Sequence, residues 1–257
     1  MLKTPWAALK SGTDIRGVAM AGASDNGTEL VVNLSETVVE QIAAAFALWL
    51  HQKTGKPAGQ LTVSVGRDSR LSGEKLAGAV MQGLTTAGIR VLSIGLASPP
   101  ALFMTTVDLG CDAAIQITAS HHPWYRNGLK FFLPSGGLEG EDITAILTLA
   151  QEGKRLTSDT AGQVEPVAYM DQYAARLRKM VLEGLGAKEG DTPLAGFHIV
   201  VDAGNGVGGF YAQQVLEPLG ADISGSQFLE PDGRFPNHIP NPENPEAALP
   251  QVQEVIE

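Results

Sequence analysis

The chain has a single cysteine, Cys111, among its 257 residues, which excludes an internal disulfide and any cysteine-rich zinc site. Cys111 lies in the apolar lead-in to an expected strand, so a buried, inert thiol is the reading. No segment approaches the roughly 20 uninterrupted apolar residues that a spanning helix requires. The nearest, Ile42 to Leu50, is too short and reads as a buried helix face. Residues 1–10 lack the long apolar run of a secretory signal. The expectation is therefore a reducing, cytoplasmic setting, with a plastid or other organelle as the alternative, and no membrane partner. Positive charge is also scarce. Eighteen Lys and Arg against 28 Asp and Glu leave a formal charge of -10 and a pI of about 5.0. That balance argues against nucleic acid as a partner. Such a chain binds phosphate only by concentrating its cations locally, so their distribution matters more than their sum.

Hydrophobic residues make up 44% of the chain, enough for a globular core. Ser11 to Met20 is short and turn-rich, with Asp14 and Arg16 close together. Ser35 is placed to cap a helix running to about Gln52. Leu61 to Val65 reads as a strand, Ser72 to Ala87 as a helix stopped by Gly88, and Ile89 to Ile94 as a strand. Ala113 to Ile117 and Leu129 to Leu133 are further strands, and Glu139 to Gln151 a helix. No element is assigned between Ile94 and Ala113. This alternation predicts an α/β fold, a mixed, largely parallel sheet flanked by helices. After a polar break at Gly153 to Gly162, Val167 to Leu185 reads as an amphipathic helix with Tyr169, Tyr173, Leu177 and Met180 at helical spacing. Phe197 to Val201 then starts a second α/β unit of similar type, continued by a helix from Phe210 to Leu219 and another from Glu246 to Glu257. The expected domains are 9–156 and 167–257, the second incomplete.

The segment Thr118-Ala119-Ser120-His121-His122-Pro123-Trp124-Tyr125-Arg126-Asn127-Gly128-Leu129-Lys130 lies between two expected strands, where α/β proteins place their sites. Ala113 to Leu138 contains no Asp or Glu, although the chain has 28. A serine hydroxyl among Arg126, Lys130 and two histidines, with acids kept away, suits a phosphate-bearing site. On composition alone the plainer reading is a polar loop whose serine caps a turn and whose histidines face water. A protease-like serine is disfavoured, because the G-x-S-x-G elbow is missing and His121 is poorly placed as its base.

The segment resembles the active-site serine loop of the α-D-phosphohexomutases, the phosphoglucomutase/phosphomannomutase family, written T-A-S-H-N-P followed by N-G-x-K. His122 stands where the family usually has Asn. Three further stretches resemble family motifs in the right order: Ser11 to Gly17 its opening motif, Val65 to Arg70 its G-R-D-x-R turn, and Pro231 to Pro242 its P-D-G-x-F-P-x-H-x-P-N-P stretch. The resemblance covers the N-terminal part of such an enzyme. It implies an isomerase that interconverts hexose 1-phosphate and 6-phosphate through a phosphoserine and a sugar bisphosphate intermediate. Ser120 would carry the phosphate and Lys130 would act as general acid/base, with a proton affinity tuned toward neutrality by neighbouring cations. Arg16 would brace phosphoryl oxygens and bind substrate together with Lys130, and His121 would assist locally. The implied cofactors are Mg2+, held in part by the phosphate on Ser120, and glucose 1,6-bisphosphate or a similar activator; the substrate is a hexose phosphate. Each residue also has a structural alternative. Arg16 could pair only with Asp14 or another acid, Lys130 could be an exposed strand-end lysine, and Arg67 and Arg70 more readily brace the fold than touch substrate.

Asp202 to Gly209 contains G-x-G-x-x-G after an expected strand and before a helix, which taken alone suggests a dinucleotide site. Asp202 would set a negative charge beside the pyrophosphate, and the family has a similar D-x-x-x-G turn, so a tight strand–helix connection is preferred. The family's metal loop, D-G-D-x-D-R, does not occur before Glu257. The remaining metal ligands are thus expected beyond residue 257, the rest of a parent chain is expected to be required, and this chain is expected to be inactive or weakly active. A dinucleotide-binding domain and a non-catalytic relative are the alternatives.

Overall fold

The computed structural model describes residues 1–241 and 243, so the helix expected from Glu246 to Glu257 and the end of the Pro231–Pro242 motif lie outside the described residues. The chain divides into two compact units, residues 1–119 with 124–167, and residues 120–123 with 168–257.

The first unit contains the strands β1 (Lys10–Ser11), β2 (Asp14–Val18), β3 (Ser24–Asp25), β4 (Thr28–Glu29), β5 (Thr62–Arg67), β6 (Arg90–Leu96), β7 (Ala113–Ile117), β8 (Arg126–Leu133), β9 (Gly136–Gly137) and β10 (Val164–Pro166). Its helices are α1 (Glu36–Thr54), α2 (Gly73–Thr86), α3 (Pro99–Asp108) and α4 (Gly140–Gln151). The main sheet has the order β1-β2-β8-β7-β5-β6-β10, with β9 beside β8 and β3-β4 as a separate ribbon. Strands β7, β5, β6 and β10 run parallel, whereas β8 is antiparallel to both β7 and β2. The mixed, largely parallel sheet with flanking helices is therefore present.

Local chemistry sets the elements. The Ser35 hydroxyl accepts from the Val38 amide at 3.3 Å and starts α1, as side-chain oxygens at N-caps do. Glu139 and Asp142 form a reciprocal capping box at α4. Helix α3 was not anticipated: Pro99 and Pro100 look like breakers, but at the first two positions of a helix proline loses no bond, and Ser98 caps Ala101. Strand β8 begins three residues before the expected Leu129, because Arg126, Asn127 and Gly128 pair with Val18, Gly17 and Arg16 of β2.

Alternation across β8 separates two environments. Leu129 and Phe131 face the main core, where Phe131 stacks on Phe46 of α1 at 4.9 Å and Ile143, Ile146 and Leu147 of α4 are fully buried. Arg126, Gly128, Lys130 and Phe132 face the other side. There Phe132 meets Phe103 of α3 at 5.8 Å, and the strip from Lys130 to Arg126 is polar.

The second unit holds α5 (Tyr169–Gly184), a π-helical segment Tyr211–Leu216 and a 3-10 turn Glu217–Leu219. Tyr169 and Tyr173 are buried as their spacing predicts, while Met180 is exposed. The strand expected at Phe197 to Val201 is reduced to two isolated parallel bridges, His198 with Asp222 and Asp202 with Gln227. Between them the Ser226 hydroxyl occupies the Val201 amide, and a turn from Ile223 to Ser226 breaks the ladder. The expected Phe210–Leu219 helix is likewise wound irregularly, and Pro218 supplies no amide to extend it.

Candidate active site

The site grows from the ends of β2, β5 and β7 and the start of β8, which lie at the carboxyl edge of the parallel strands, where open α/β sheets bind ligands. On the polar strip, Arg16 is opposite Gly128 and Val18 opposite Arg126, and the Lys130 side chain reaches Asp14. A Cβ on Gly128 would stand 2.3 Å from the Ile15 carbonyl oxygen and 3.0 Å from Arg16 Cγ. Glycine is thus required there, and the Arg16 side chain lies across it.

Asp14 is buried, and one of its oxygens takes both cations: Arg16 Nη2 donates to Oδ2 at 2.8 Å and Lys130 Nζ at 2.6 Å. A second acid, Asp68, follows β5. Its Oδ2 accepts from Arg70 Nε at 3.1 Å and from the Thr118 hydroxyl at 2.6 Å. Arg70 is 1% exposed and also donates to the Arg126 carbonyl at 3.0 Å. Burial raises the Asp68 carboxyl above its ordinary range, opposed by Arg70 and Thr118. Burial likewise lowers Arg70, opposed by Asp68, while nearby Arg16 adds to the lowering. Two buried atoms of the strip, Nε of Arg16 and Nε of Arg126, have no hydrogen-bond partner.

Thr118 is tied to β8 by its amide, which donates to the Gly128 carbonyl at 3.0 Å. Ser120 then opens the β7–β8 connection in the left-handed region, at φ 56°, a conformation that costs a non-glycine residue about 1–2 kcal/mol. It is exposed, as is His121. His121 Nδ1 is 3.5 Å from Ser120 Oγ, beyond the normal range of such bonds, and its ring stacks on His122 at 5.0 Å.

The structure therefore brings Arg16 and Lys130 together on one carboxylate and places Ser120 and His121 in the connection grouped with the second unit. The expectation that acids are kept away needs correction. The stretch 113–138 is acid-free in sequence, but Asp14 and Asp68 arrive from β2 and the end of β5. Lys130 accordingly has a carboxylate as its nearest charge rather than the expected cations. Arg70 is a brace, as anticipated. In the sequence Arg126 stands out only as part of a cationic stretch; its place two and four residues before Gly128 and Lys130, at strand spacing, is the signal that puts it on their face. Cys111 is buried, and burial raises its thiol.

Among the described residues no three or more His, Cys, Asp or Glu converge as metal ligands. These residues do not by themselves fit a Mg2+ ion. The glycine turn does not fit a dinucleotide either. The Gly204, Asn205 and Gly206 amides already donate to Asp202 Oδ1, the Phe228 carbonyl and the Ala203 carbonyl. The His238 ring would be 2.8 Å from a Cβ on Gly204, and the Leu229 carbonyl oxygen 2.1 Å from one on Gly209. The turn is filled by the protein itself, as a tight connection requires. Among the described residues no helix is long and apolar enough to cross a membrane.

The chain is similar in sequence and fold to known proteins. Residues 12–156 match the description "Phosphoglucomutase/phosphomannomutase, alpha/beta/alpha domain I" and residues 171–257 match domain II of the same family. A phosphomannomutase/phosphoglucomutase of Pseudomonas putida is 35% identical over 213 residues, covering 81% of this chain and 43% of the relative. A phosphoglucosamine mutase of Desulforamulus reducens is 32% identical over 248 residues, covering 94% of this chain and 50% of the relative. The crystal structure of a phosphoglucomutase/phosphomannomutase family protein from Burkholderia thailandensis superposes with a TM-score of 0.78 at 28% identity, over 99% of this chain and 50% of that one. The chain thus spans about half the length of the relatives it matches. With both domain descriptions matched in order, the chain belongs to the phosphoglucomutase/phosphomannomutase family.

Proposed function

We propose that this chain carries the phosphoserine-bearing part of a phosphohexomutase, an isomerase that moves a phosphoryl group between the 1- and 6-positions of a hexose phosphate. The observation that carries the reading is the cation strip, Arg16 and Lys130 pre-set on Asp14 in a chain of net charge -10. In the proposed step a sugar hydroxyl oxygen attacks the phosphorus on Ser120. The P–Oγ bond breaks, and the hydroxyl proton reaches Oγ by way of Lys130. The resulting sugar bisphosphate returns its other phosphoryl group to Ser120 by the reverse step. Arg16 presents a planar fork to phosphoryl oxygens. The strained, exposed backbone at Ser120 supports a functional role for that hydroxyl, and His121 assists it locally.

Mg2+ and a bisphosphate such as glucose 1,6-bisphosphate belong to the proposal, the metal neutralising phosphoryl charge. The described residues do not by themselves form its site. For the same reason repeated mutase turnover by this chain alone is expected to be slow or nil, whereas a single phosphorylation of Ser120 needs no turnover. A cytoplasmic location is part of the same reading, supported by a lone thiol that is buried.

The test is intact-mass spectrometry after incubation with glucose 1,6-bisphosphate and Mg2+. The expected product is about 80 Da heavier, the mass of one phosphoryl group, with the adduct mapped to Ser120 and lost in Ser120→Ala. An unmodified chain, or an adduct that survives Ser120→Ala, would overturn the reading.

A further inference from the structure

We propose that Arg126 is an anion-binding residue of the polar strip and, together with the unpaired edge of Arg16, forms a subsite for the oxygens of a phosphate monoester. The existence of an anion subsite follows from the strip itself; its identification with a phosphate ester rests on the function proposed above.

The cations of the strip differ in how much of their hydrogen-bonding capacity is already used. Arg70 is committed to Asp68 and the Arg126 carbonyl. Lys130 is committed to Asp14. Arg16 gives one nitrogen to Asp14 and leaves its Nε unpartnered. Arg126 makes no ion pair among the described residues, and its Nε is buried without a hydrogen-bond partner. A buried, unpaired donor on a charged group is costly, and such an atom calls for an explanation. The residue opposite it, Val18, offers no acceptor.

Two unpartnered guanidinium nitrogens stand on one sheet face, in diagonal register, with the Arg16 side chain laid across Gly128, where only a glycine leaves room for it. The backbone around Arg126 is fixed. Its own carbonyl accepts from Arg70, and the preceding Tyr125 carbonyl accepts from the Ala19 and Met20 amides at 2.8 and 3.1 Å. Rigid support of this kind is what a preorganised binding group needs. Planar forks with free N–H groups match the oxygens of a phosphate dianion, which can take donors from both arginines.

The anion can come from a soluble sugar phosphate or from the phosphorylated serine of the chain itself. Both present the same dianionic oxygens. Titration calorimetry with inorganic phosphate on the unphosphorylated chain is the test. Arg126→Met is expected to weaken phosphate binding about tenfold or more, with Arg126→Lys restoring part of it, while far-UV circular dichroism stays at the wild-type value and the thermal midpoint does not fall. Phosphate affinity equal to wild type in folded Arg126→Met or Arg126→Gln overturns the inference. Repeating the titration on chain phosphorylated at Ser120 separates the sources: Arg126-dependent binding that persists assigns the subsite to the soluble ester, and binding that disappears assigns it to the phosphoserine. A chain that never phosphorylates at Ser120 but shows the Arg126 dependence refutes the function proposed above and leaves the anion subsite standing.

Discussion

Neutralising Asp14 is the sharpest single perturbation available. In Asp14→Asn the side chain keeps its shape and loses its charge, so Arg16 and Lys130 face each other without a counter-ion. Both now contact the same carboxylate oxygen, which puts the two cations within roughly 5 Å. At an effective dielectric of about 20 their repulsion at that distance is about 3 kcal/mol. The side chains of Arg16 and Lys130 are only 12% and 25% exposed, so water relieves part of this and no more. An independent route gives a similar figure, since breaking a buried ion pair by removing one partner costs about 3–5 kcal/mol. Asp14→Asn is expected to lower stability by about 3 kcal/mol, or the thermal midpoint by roughly 6–12 °C. Adding Lys130→Met should recover more than about 1 kcal/mol of the loss, because coupled neighbours do not add. Phosphate buffer should also narrow the deficit relative to chloride at equal ionic strength, since an anion bound to the native strip replaces the lost charge. The assay is thermal and urea unfolding of the single and double variants in both buffers. A loss below about 1 kcal/mol for Asp14→Asn would show that the cations do not depend on this carboxylate.

Gly128→Ala would drive a Cβ to 2.3 Å from the Ile15 carbonyl oxygen, so β2 and β8 must separate; a loss of about 3 kcal/mol, the upper end for overpacking, is expected in urea unfolding. Stability equal to wild type would disprove the close approach. In the second unit, burial pushes the Tyr173 phenol from its ordinary value up to about 12, with Tyr211 adding to the shift. A raised phenol is neutral in the fold, whereas the unfolded chain ionises near 10. This contribution is whole below about pH 10 and falls away as pH rises toward 12. Unfolding measured across that interval should show the decline, and Tyr173→Phe should flatten it.

Legibility in the sequence followed local chemistry. Strand β7 was readable at its true limits, Ala113–Ile117, because all five residues are buried and Asp112 and Thr118 bound the run. Helix α1 announced itself through Ser35. Strand β8 was read short because Arg126, Asn127 and Gly128 carry no apolar period, and only their pairing with β2 makes them strand. Helix α3 is hard to read from the sequence because its start is two prolines and its apolar residues, Ala101 to Met104 in one run, leave little amphipathic contrast. In the second unit the apolar run Phe197–Val201 matched a strand by propensity, but the turn at Ile223 to Ser226 denied it a continuous partner. The serine loop and the two cations Arg16 and Lys130 were legible through motif resemblance. The roles of Asp14 and Asp68 were not, because the separation of acid from base seen along the chain does not survive folding.

The two acids, buried Asp14 and partly buried Asp68, bear on how the strip can exist before any ligand arrives. Arg16, Arg70, Arg126 and Lys130 gathered on one sheet region would repel each other strongly at low dielectric. Asp14 and Asp68 offset this, and they do so unevenly. Asp68 engages Arg70 and turns it into scaffolding, whereas Asp14 draws on one nitrogen of Arg16 and on Lys130, leaving Nε of Arg16 and Nε of Arg126 without a partner. Four cations against two carboxylates leave a local excess of positive charge inside a protein that is strongly negative overall. The surrounding negative potential opposes non-specific anions everywhere else, so attraction is confined to the strip. A phosphate ester need not displace Asp14 to bind there; it needs only to take the donors that Asp14 leaves unused.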